Sequence, residues 1–447
     1  MRQEYDSLGE FQLSDDEYFG IATARMLAIV DLCGPRIPHL LAVNVVRVRQ
    51  AQALALGQSG VWTDVLSESI QAAAERLIAD EVFFATQLRI CSLHGGGARS
   101  LVANIDEVLA NVALQLQRKS LGEYHWVAPL LRLDSGISAQ QVCLIALHIS
   151  LSQLLDELVT RLTEAVSLLQ SLAQELSGHA TVAQMDYQDV KITDLGSGFA
   201  CCADGLLRIQ RQIIWYRSEL LQLWSENPDV FRCLQALLGI DCVQNETGRD
   251  FPVGSDLYLG LSGLVKTAAG LLLQFCNELK QQVCLSKEIE WSKRVASPVF
   301  NPAGREVFAP DTICQIVFHI IGCDATVMAA ATSGSNAVVH SFPLISTCLL
   351  NSVQQLSVAV KLLTDNCLVG LRGNSEAGLA AVVNTPLQAE KLISLIGYER
   401  AVQVARIAAL TEKPVHTVVL RMKLLNEEQV AKLFTHVPVT NANINEE

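Results

Sequence analysis

From Ser138 onward, apolar residues recur at helical spacing: Val142, Ile145, Ile149, Leu155, Leu158, Val159, Leu162, Val166 and Leu169. Leu144, Leu147, Leu151 and Leu154 widen that stripe, so the predicted helix is covered on more than one side. Further long apolar helices are predicted at about 203–224, 255–285, 310–332, 343–369 and 376–395. Helices of this length and apolarity pack against several neighbours, often from other subunits. Residues 1–140 differ: short helices alternate with turns, punctuated by Gly34-Pro35 and Gly95-Gly96-Gly97. Beyond residue 396 the chain is more charged. There Asn426-Glu427-Glu428-Gln429 reads as an N-cap with an acidic first turn, opening a last helix that runs to Phe434. The tail after Val437 is polar and turn-like.

Composition narrows the class. Half of the 447 residues are apolar, only 6% are aromatic, and Pro is scarce, which suits long packed helices. The formal charge of −13 disfavours nucleic acid and anionic membranes, both of which are held by clustered Lys and Arg. A small anionic substrate stays open, because a local cationic pocket overrides the global sign. Residues 325–360, between Asp324 and Lys361, carry no formal charge. A bilayer span needs about twenty predominantly apolar residues. This run is broken by Ser333-Gly334-Ser335-Asn336 and His340-Ser341-Phe342-Pro343, so two bundled helices are expected and no membrane span. The start, MRQEYDSLGEFQLSDDEY, lacks an apolar signal region. The thirteen cysteines show no CxxC or Cys/His ligand spacing. Reduced core thiols in a cytoplasmic protein are expected, with no metal and no cofactor.

The most informative stretch runs from His94 to Tyr124: HGGGARSLVANIDEVLANVALQLQRKSLGEY. A glycine-rich turn feeds a polar Asn-x-Asp-Glu and then an apolar helix. Without a gap, this resembles the first signature of the aspartase/fumarase lyase superfamily, where the turn reads roughly GGAGTS and the helix NxNExLAN. Ser100, Asn104, Glu107 and Leu109-Ala110-Asn111 match, whereas the family threonine is Arg99 and one glycine is Ala98. The resemblance continues through Phe318 to Val327, Asn366 to Asn374, and the C-terminal IGYERAVQVARIAALTEKPVHTVVLRMKLLNEEQVAKLF. It implies a mainly α subunit of three domains: an N-terminal domain at 1–138, a central long-helix bundle at 139–395 and a small helical domain at 396–447. It further implies a homotetramer with a core of about twenty helices, whose active sites take loops from three subunits.

The family reaction is a β-elimination beside a carboxylate, which needs a positioned base and donors placed where charge develops. The second family signature, approximately SxSTND, falls on Ser138-Ala139-Gln140-Gln141, where only the serine survives. Ser138 reads either as a hydroxyl donor to a carboxylate or as the N-cap of the long helix. The third signature falls on Met185-Asp186-Tyr187-Gln188-Asp189; Gln188 and Asp189 match, and Asp186 replaces a His or Gln. Asp186 is either a base tuned by burial or a salt-bridged acid. The family's mobile loop falls on Ser297 to Val307, or in a second register with Asn301-Pro302 at its close. Both registers lose the base serine, and in the first Arg305 lies one residue from the lysine position. His340 stands beside Val339, which replaces a family asparagine.

The expected catalytic set is therefore Asp186, His340 and Ser138. The expected substrate-binding set is Arg99, Ser100, Asn104, Gln140, Gln188, Asn301 and Arg305. Two readings follow. One is a carbon–nitrogen or carbon–oxygen lyase acting on a non-standard, larger carboxylate substrate. The other is an inactive relative kept as a binding, regulatory or scaffold oligomer.

Overall fold

The computed structural model describes residues 1–30, 34–129, 137–185, 188–223, 227–240, 242–244, 255–291, 307–333 and 341–434. Asp186, Asn301, Arg305 and His340, together with the tail after Val437, lie outside these described residues.

The chain opens with an antiparallel hairpin, β1 (Arg2–Asp6) and β2 (Gly9–Leu13). Five helices follow: α1 (Ile21–Ile29), α2 (His39–Gln58), α3 (Asp64–Ala79), α4 (Glu81–Gln87) and α5 (Gly97–Leu116). Next comes α6 (Ala139–Glu175), at 37 residues the longest, which begins directly after Ser138 as its apolar stripe requires. A second hairpin, β3 (Ala180–Met185) and β4 (Gln188–Asp194), separates α6 from α7 (Gly196–Leu220). Then come β5 (Gln222–Leu223), α8 (Pro228–Leu238), β6 (Val243–Gln244), α9 (Ser255–Cys284), β7 (Ile289–Trp291), α10 (Phe308–Thr332) and α11 (Phe342–Leu362). The C-terminal part holds β8 (Leu371–Gly373), α12 (Ser375–Asn384), α13 (Ile393–Ile396), α14 (Tyr398–Thr411), α15 (Val415–Arg421) and α16 (Glu427–Leu433).

Most predicted long helices appear within a few residues of their expected ends, and the differences have local causes. The stretch expected as one helix over 376–395 is broken in two. Pro386 has no N–H to continue α12, and the residue before a proline avoids helical geometry. The Thr385 hydroxyl instead accepts the Leu387 N–H at 3.3 Å and starts a 3₁₀ segment, Pro386–Leu392. The helix expected over 343–369 leaves α-geometry at Leu362 and finishes as a π-helical turn, Leu363–Leu368. The hairpin β3–β4 was not anticipated: its strands are half polar, and the register shifts at Ala183/Gln184. The last helix follows its sequence signal. Asn426 Oδ1 accepts the Gln429 N–H at 2.8 Å, and Gln429 Oε1 accepts the Asn426 N–H at 3.0 Å.

The described chain divides into two compact units. The first comprises residues 1–162, 208–270 and 316–358; the second comprises 163–207, 271–315 and 359–447. In the first unit α5 is buried from Gly97 to Leu114 except at Arg99, with α1 and α3 packed on it and α2 adjoining. The Asn44 amide of α2 donates to Ser150 Oγ at 2.8 Å and Gln153 Oε1 at 3.0 Å on α6. In the second unit the C-terminal helices have a core of their own, including Leu392, Val404, Val415, Val419, Val430 and Phe434.

One buried histidine ties three long helices of the first unit. His148 of α6 is 2% exposed; its Nδ1 lies 3.0 Å from the Leu220 carbonyl of α7 and its Nε2 3.0 Å from the Tyr258 hydroxyl of α9. Burial holds its pKa down to about 4, far below the ordinary 6.5. Between those values the unfolded chain binds the proton and the folded chain does not. Stability therefore rises with pH through this window, and the contribution present above pH 6.5 is lost as pH falls towards 4. The loss is about 3 kcal/mol on this group alone. Stabilities from urea unfolding at pH 7 and pH 5 should differ by the part of that loss falling between them, about 2 kcal/mol. A His148→Gln variant, which keeps a polar side chain but cannot titrate, should flatten that slope; an unchanged slope would exclude His148 as its source.

By length and composition, α6, α9 and α10 are apolar enough to cross a membrane. The fold buries 72% of the most apolar window of α6 but only 33% of that of α10. Phe318, Ile321 and Met328 stand exposed along α10 with no charge between them except Asp324, which pairs with Lys266 of α9.

Candidate active site

The glycine turn at 94–98 feeds directly into α5. Gly96 precedes the helix and offers no side chain to cap it, so the first-turn N–H groups have no side-chain acceptor at that position. Gly97 takes a left-handed φ of +61°, which favours glycine. Gly96 is needed for space: a Cβ there would lie 1.7 Å from Ser100 Oγ and 3.3 Å from His94 Nδ1. The serine hydroxyl and the imidazole thus share the volume above Gly96. Gly96 N–H donates to His94 Nδ1 at 3.2 Å, which leaves the ring proton on Nε2. Burial lowers the His94 pKa, and among the described residues Nε2 has no partner.

A second helix start meets this turn. The Cys143 thiol of α6 lies 3.8 Å from the Ala98 carbonyl, which brings the first turn of α5 against the second turn of α6. Ser138 caps α6, its Oγ accepting the Gln141 N–H at 3.2 Å while its carbonyl accepts Val142 N–H at 3.1 Å. Arg99 and Ser138 are exposed, Gln140 is half-buried and Ser100 is 3% exposed. Arg99 and Ser100 on α5, and Ser138 and Gln140 at the start of α6, thus each lie within a few residues of this contact. This arrangement favours an anion, because helix N-termini present partial positive charge and oriented N–H donors.

The other polar residues of the motif do structural work. Asn104, expected to bind substrate, is wholly buried; its Oδ1 accepts the Arg89 N–H at 3.0 Å and its Nδ2 donates to the Gln87 carbonyl at 3.1 Å. It bears on the site through the segment leading into the glycine turn. Glu107 collects four donors at the start of α1: the N–H groups of Gly20 and Ala22 at 2.9 Å, that of Thr23 at 3.1 Å and Thr23 Oγ1 at 2.8 Å. Burial raises its pKa, and those hydrogen bonds act in the opposite direction. Asn111 donates to the Tyr18 carbonyl at 2.8 Å and to Tyr124 Oη at 3.1 Å, and accepts the Gly122 N–H at 2.8 Å. Asp106 faces Arg49 of α2 in a fully buried ion pair.

The third motif lies in the second unit, on the hairpin β3–β4. Gln188 is exposed opposite Met185, which is also exposed, and Asp189 accepts Gln184 Nε2 at 2.9 Å. Behind this hairpin is a cleft of about 650 Å³, walled by the start of α7, the end of α9 and α12. Asp189, Asp194, Glu278 and Glu288 line it, with Lys191 as a cation and many amides between them. Glu288 is almost fully buried and accepts Ser286 Oγ at 2.8 Å and Thr181 Oγ1 at 2.5 Å; burial raises the Glu278 pKa. Sequence reasoning missed this cleft, because its lining comes from separate elements and leaves no local signal. Its acidic lining does not suit a dicarboxylate. Among the described residues no group of three His, Cys, Asp or Glu side chains is placed to hold a metal.

No family model matches the chain. It is 25% identical to the aspartate ammonia-lyase of Helicobacter pylori (strain J99 / ATCC 700824), over 97% of this chain and 97% of that one. It is also 25% identical to the aspartate ammonia-lyase of Bacillus subtilis (strain 168), over 99% of this chain and 97% of the relative. Among solved structures it is similar to a fumarate lyase:delta crystallin from Brucella melitensis, with a TM-score of 0.86 at 23% identity, covering 98% of this chain and all of that one. The class II fumarase of Schistosoma mansoni superposes with a TM-score of 0.83 at 18% identity, covering 98% of this chain and all of that one. Full-length relatives and a shared helical fold, joined to the glycine turn and the α5 motif, support placing the chain, as a divergent relative, with the aspartase/fumarase superfamily.

Proposed function

We propose that the protein is a carbon–heteroatom lyase that eliminates or adds an amine or hydroxyl group beside a carboxylate, on a substrate larger than aspartate or malate. The observation that carries this reading is the meeting of the α5 and α6 starts, with Arg99, Ser100, Ser138 and Gln140 around them. In this reading Arg99 forks a substrate carboxylate and the two serines donate to it, while Gln140 and Gln188 supply amide contacts. Asn301 and Arg305 add carboxylate contacts, and Asp186 or His340 moves the proton. Met185, exposed on β3, suits a less polar substrate group than the family threonine.

The working form is a homotetramer. The exposed apolar face of α10, with Phe318, Ile321 and Met328, is the surface a bundle of subunits would cover. The three-part division at 1–138, 139–395 and 396–447 belongs to the same reading, supported at the C-terminus by the separate core around Phe434. The alternative, an inactive oligomer, draws on one observation: Asn104, Glu107 and Asn111 are all engaged in holding the scaffold.

The test is proton NMR in D₂O with aspartate, malate, argininosuccinate, adenylosuccinate and N-substituted aspartates. Deuterium at the carbon beside the carboxylate, or a new alkene signal, is expected for at least one compound. For that compound Arg99→Ala is expected to raise KM about 100-fold without loss of folding. Silence across the panel from a folded oligomer would favour the inactive reading.

A further inference from the structure

The cleft behind the hairpin β3–β4 has no part in the elimination chemistry, and its walls carry unbalanced charge. All of its lining residues belong to the second unit, so the cleft is complete within that unit. Its volume of about 650 Å³ falls in the range of about 300–1,000 Å³ usual for small-ligand pockets. Among the described residues, Asp189, Asp194, Glu278 and Glu288 line it against one cation, Lys191. Asp189 and Asp194 are half-buried and Glu278 is exposed, but Glu288 is only 4% exposed. The side-chain partners of Glu288 are neutral: Thr181 Oγ1 donates to it at 2.5 Å and Ser286 Oγ at 2.8 Å. Among the described residues no Lys, Arg or His forms an ion pair with it. A carboxylate has about four lone-pair positions, so two hydroxyls fill only part of them and bring no counter-charge. A buried charge is costly unless it is paired.

The acids are not arranged for a metal ion. Among the described residues no three His, Cys, Asp or Glu side chains converge closely enough to hold one. The carboxylates are set apart instead: Asp189 and Asp194 on β4, Glu278 on α9, and Glu288 just ahead of β7. The same cleft presents the amides of Gln274 and Asn277, whose oxygens accept N–H donors, and the apolar Val182, Leu195 and Ala381. Separated negative charges beside short apolar surfaces match a flexible chain of ammonium groups joined by methylene segments. We propose that this cleft binds an aliphatic polyamine, with one terminal ammonium paired to Glu288. A second ammonium meets Glu278 or Asp194, and the methylenes between them lie along the apolar residues. The ammonium groups are donors only, which suits walls made of carboxylates and amide oxygens. A dicarboxylate meets the opposite sign in this cleft and is excluded from it.

The experiment titrates spermidine into the full-length protein by calorimetry at neutral pH and physiological ionic strength. No turnover enters it, so its outcome is separate from that of the lyase reading. One spermidine per chain is expected to bind, and Glu288→Gln and Glu278→Gln should each weaken Kd about 10-fold. Glu278 is exposed, so its variant tests the site even where Glu288→Gln fails to fold. Glu428→Gln, on α16 and outside the cleft, should leave Kd unchanged. Magnesium chloride should displace spermidine no more than sodium chloride does at equal ionic strength. Three results would overturn the proposal. The first is no binding. The second is binding weakened alike by Glu278→Gln and Glu428→Gln, which is general attraction to an acidic protein. The third is displacement by magnesium beyond its ionic strength, which makes the cleft a metal site.

Discussion

Arg49→Met is expected to cost about 3–5 kcal/mol of stability, the largest effect of any single substitution considered for this chain. Arg49 of α2 and Asp106 of α5 are both fully buried. Arg49 Nε reaches Asp106 Oδ1 at 2.9 Å, its Nη2 reaches Oδ2 at 2.7 Å, and its Nη1 donates to Gln52 Oε1 at 2.7 Å. Removing the guanidinium leaves a carboxylate in the core without its counter-charge, and that uncompensated charge is what destabilises. Removing both charges also removes the desolvation cost, so the double variant Arg49→Met, Asp106→Leu should recover much of the loss. Urea unfolding monitored by circular dichroism decides it, with unchanged m-values showing that the midpoints report stability. A double variant as unstable as the single one would refute the electrostatic account.

Gly96→Ala is expected to lower kcat/KM at least about 100-fold on whatever substrate the NMR panel identifies, with a much smaller effect on the melting temperature. The added methyl would sit 1.7 Å from Ser100 Oγ, a distance no contact tolerates, so the hydroxyl must leave its position. Backbone strain is not the reason, since Gly96 has an ordinary φ of −77°. The neighbouring glycines serve as controls. A Cβ at Gly95 would meet nothing within 4 Å, and Gly95→Ala should be nearly silent. Gly97→Ala should cost about 1 kcal/mol because of its left-handed backbone, a stability effect in the first place. Equal activity losses at Gly95 and Gly96 would remove the steric argument and with it the placing of Ser100 at the site.

How far the site was legible can be judged residue by residue. Ser138 was readable as a cap from its place before an apolar stripe, and it does cap α6. Asn104 was read as a ligand contact because it stands in a matched motif, yet its amide is committed to the backbone at Gln87 and Arg89. A motif preserves whatever a fold needs, and nothing in one dimension separates a side chain that touches substrate from one that positions the loop beside it. His94 lay in the same motif without attracting a role. Its orphaned Nε2 is visible only once the ring is placed against the turn.

Local physics explains what the chain dictated unaided. Apolar stripes at 3.6-residue spacing bury themselves the same way wherever they meet a partner, so α6, α9, α10 and α11 were legible, as was the capping box at Asn426. Pro386 was equally present in the sequence, but Leu387 to Lys391 after it are good helix formers, and the break follows from a missing N–H that helical periodicity does not register. Contacts between residues distant in the chain needed the tertiary structure. Arg49 with Asp106, Glu107 with the start of α1, and Ala98 with Cys143 each join residues at least 45 positions apart. A hydrogen bond or ion pair depends on distance and burial, and neither is encoded in spacing along the chain; only the packing of the helices decides them.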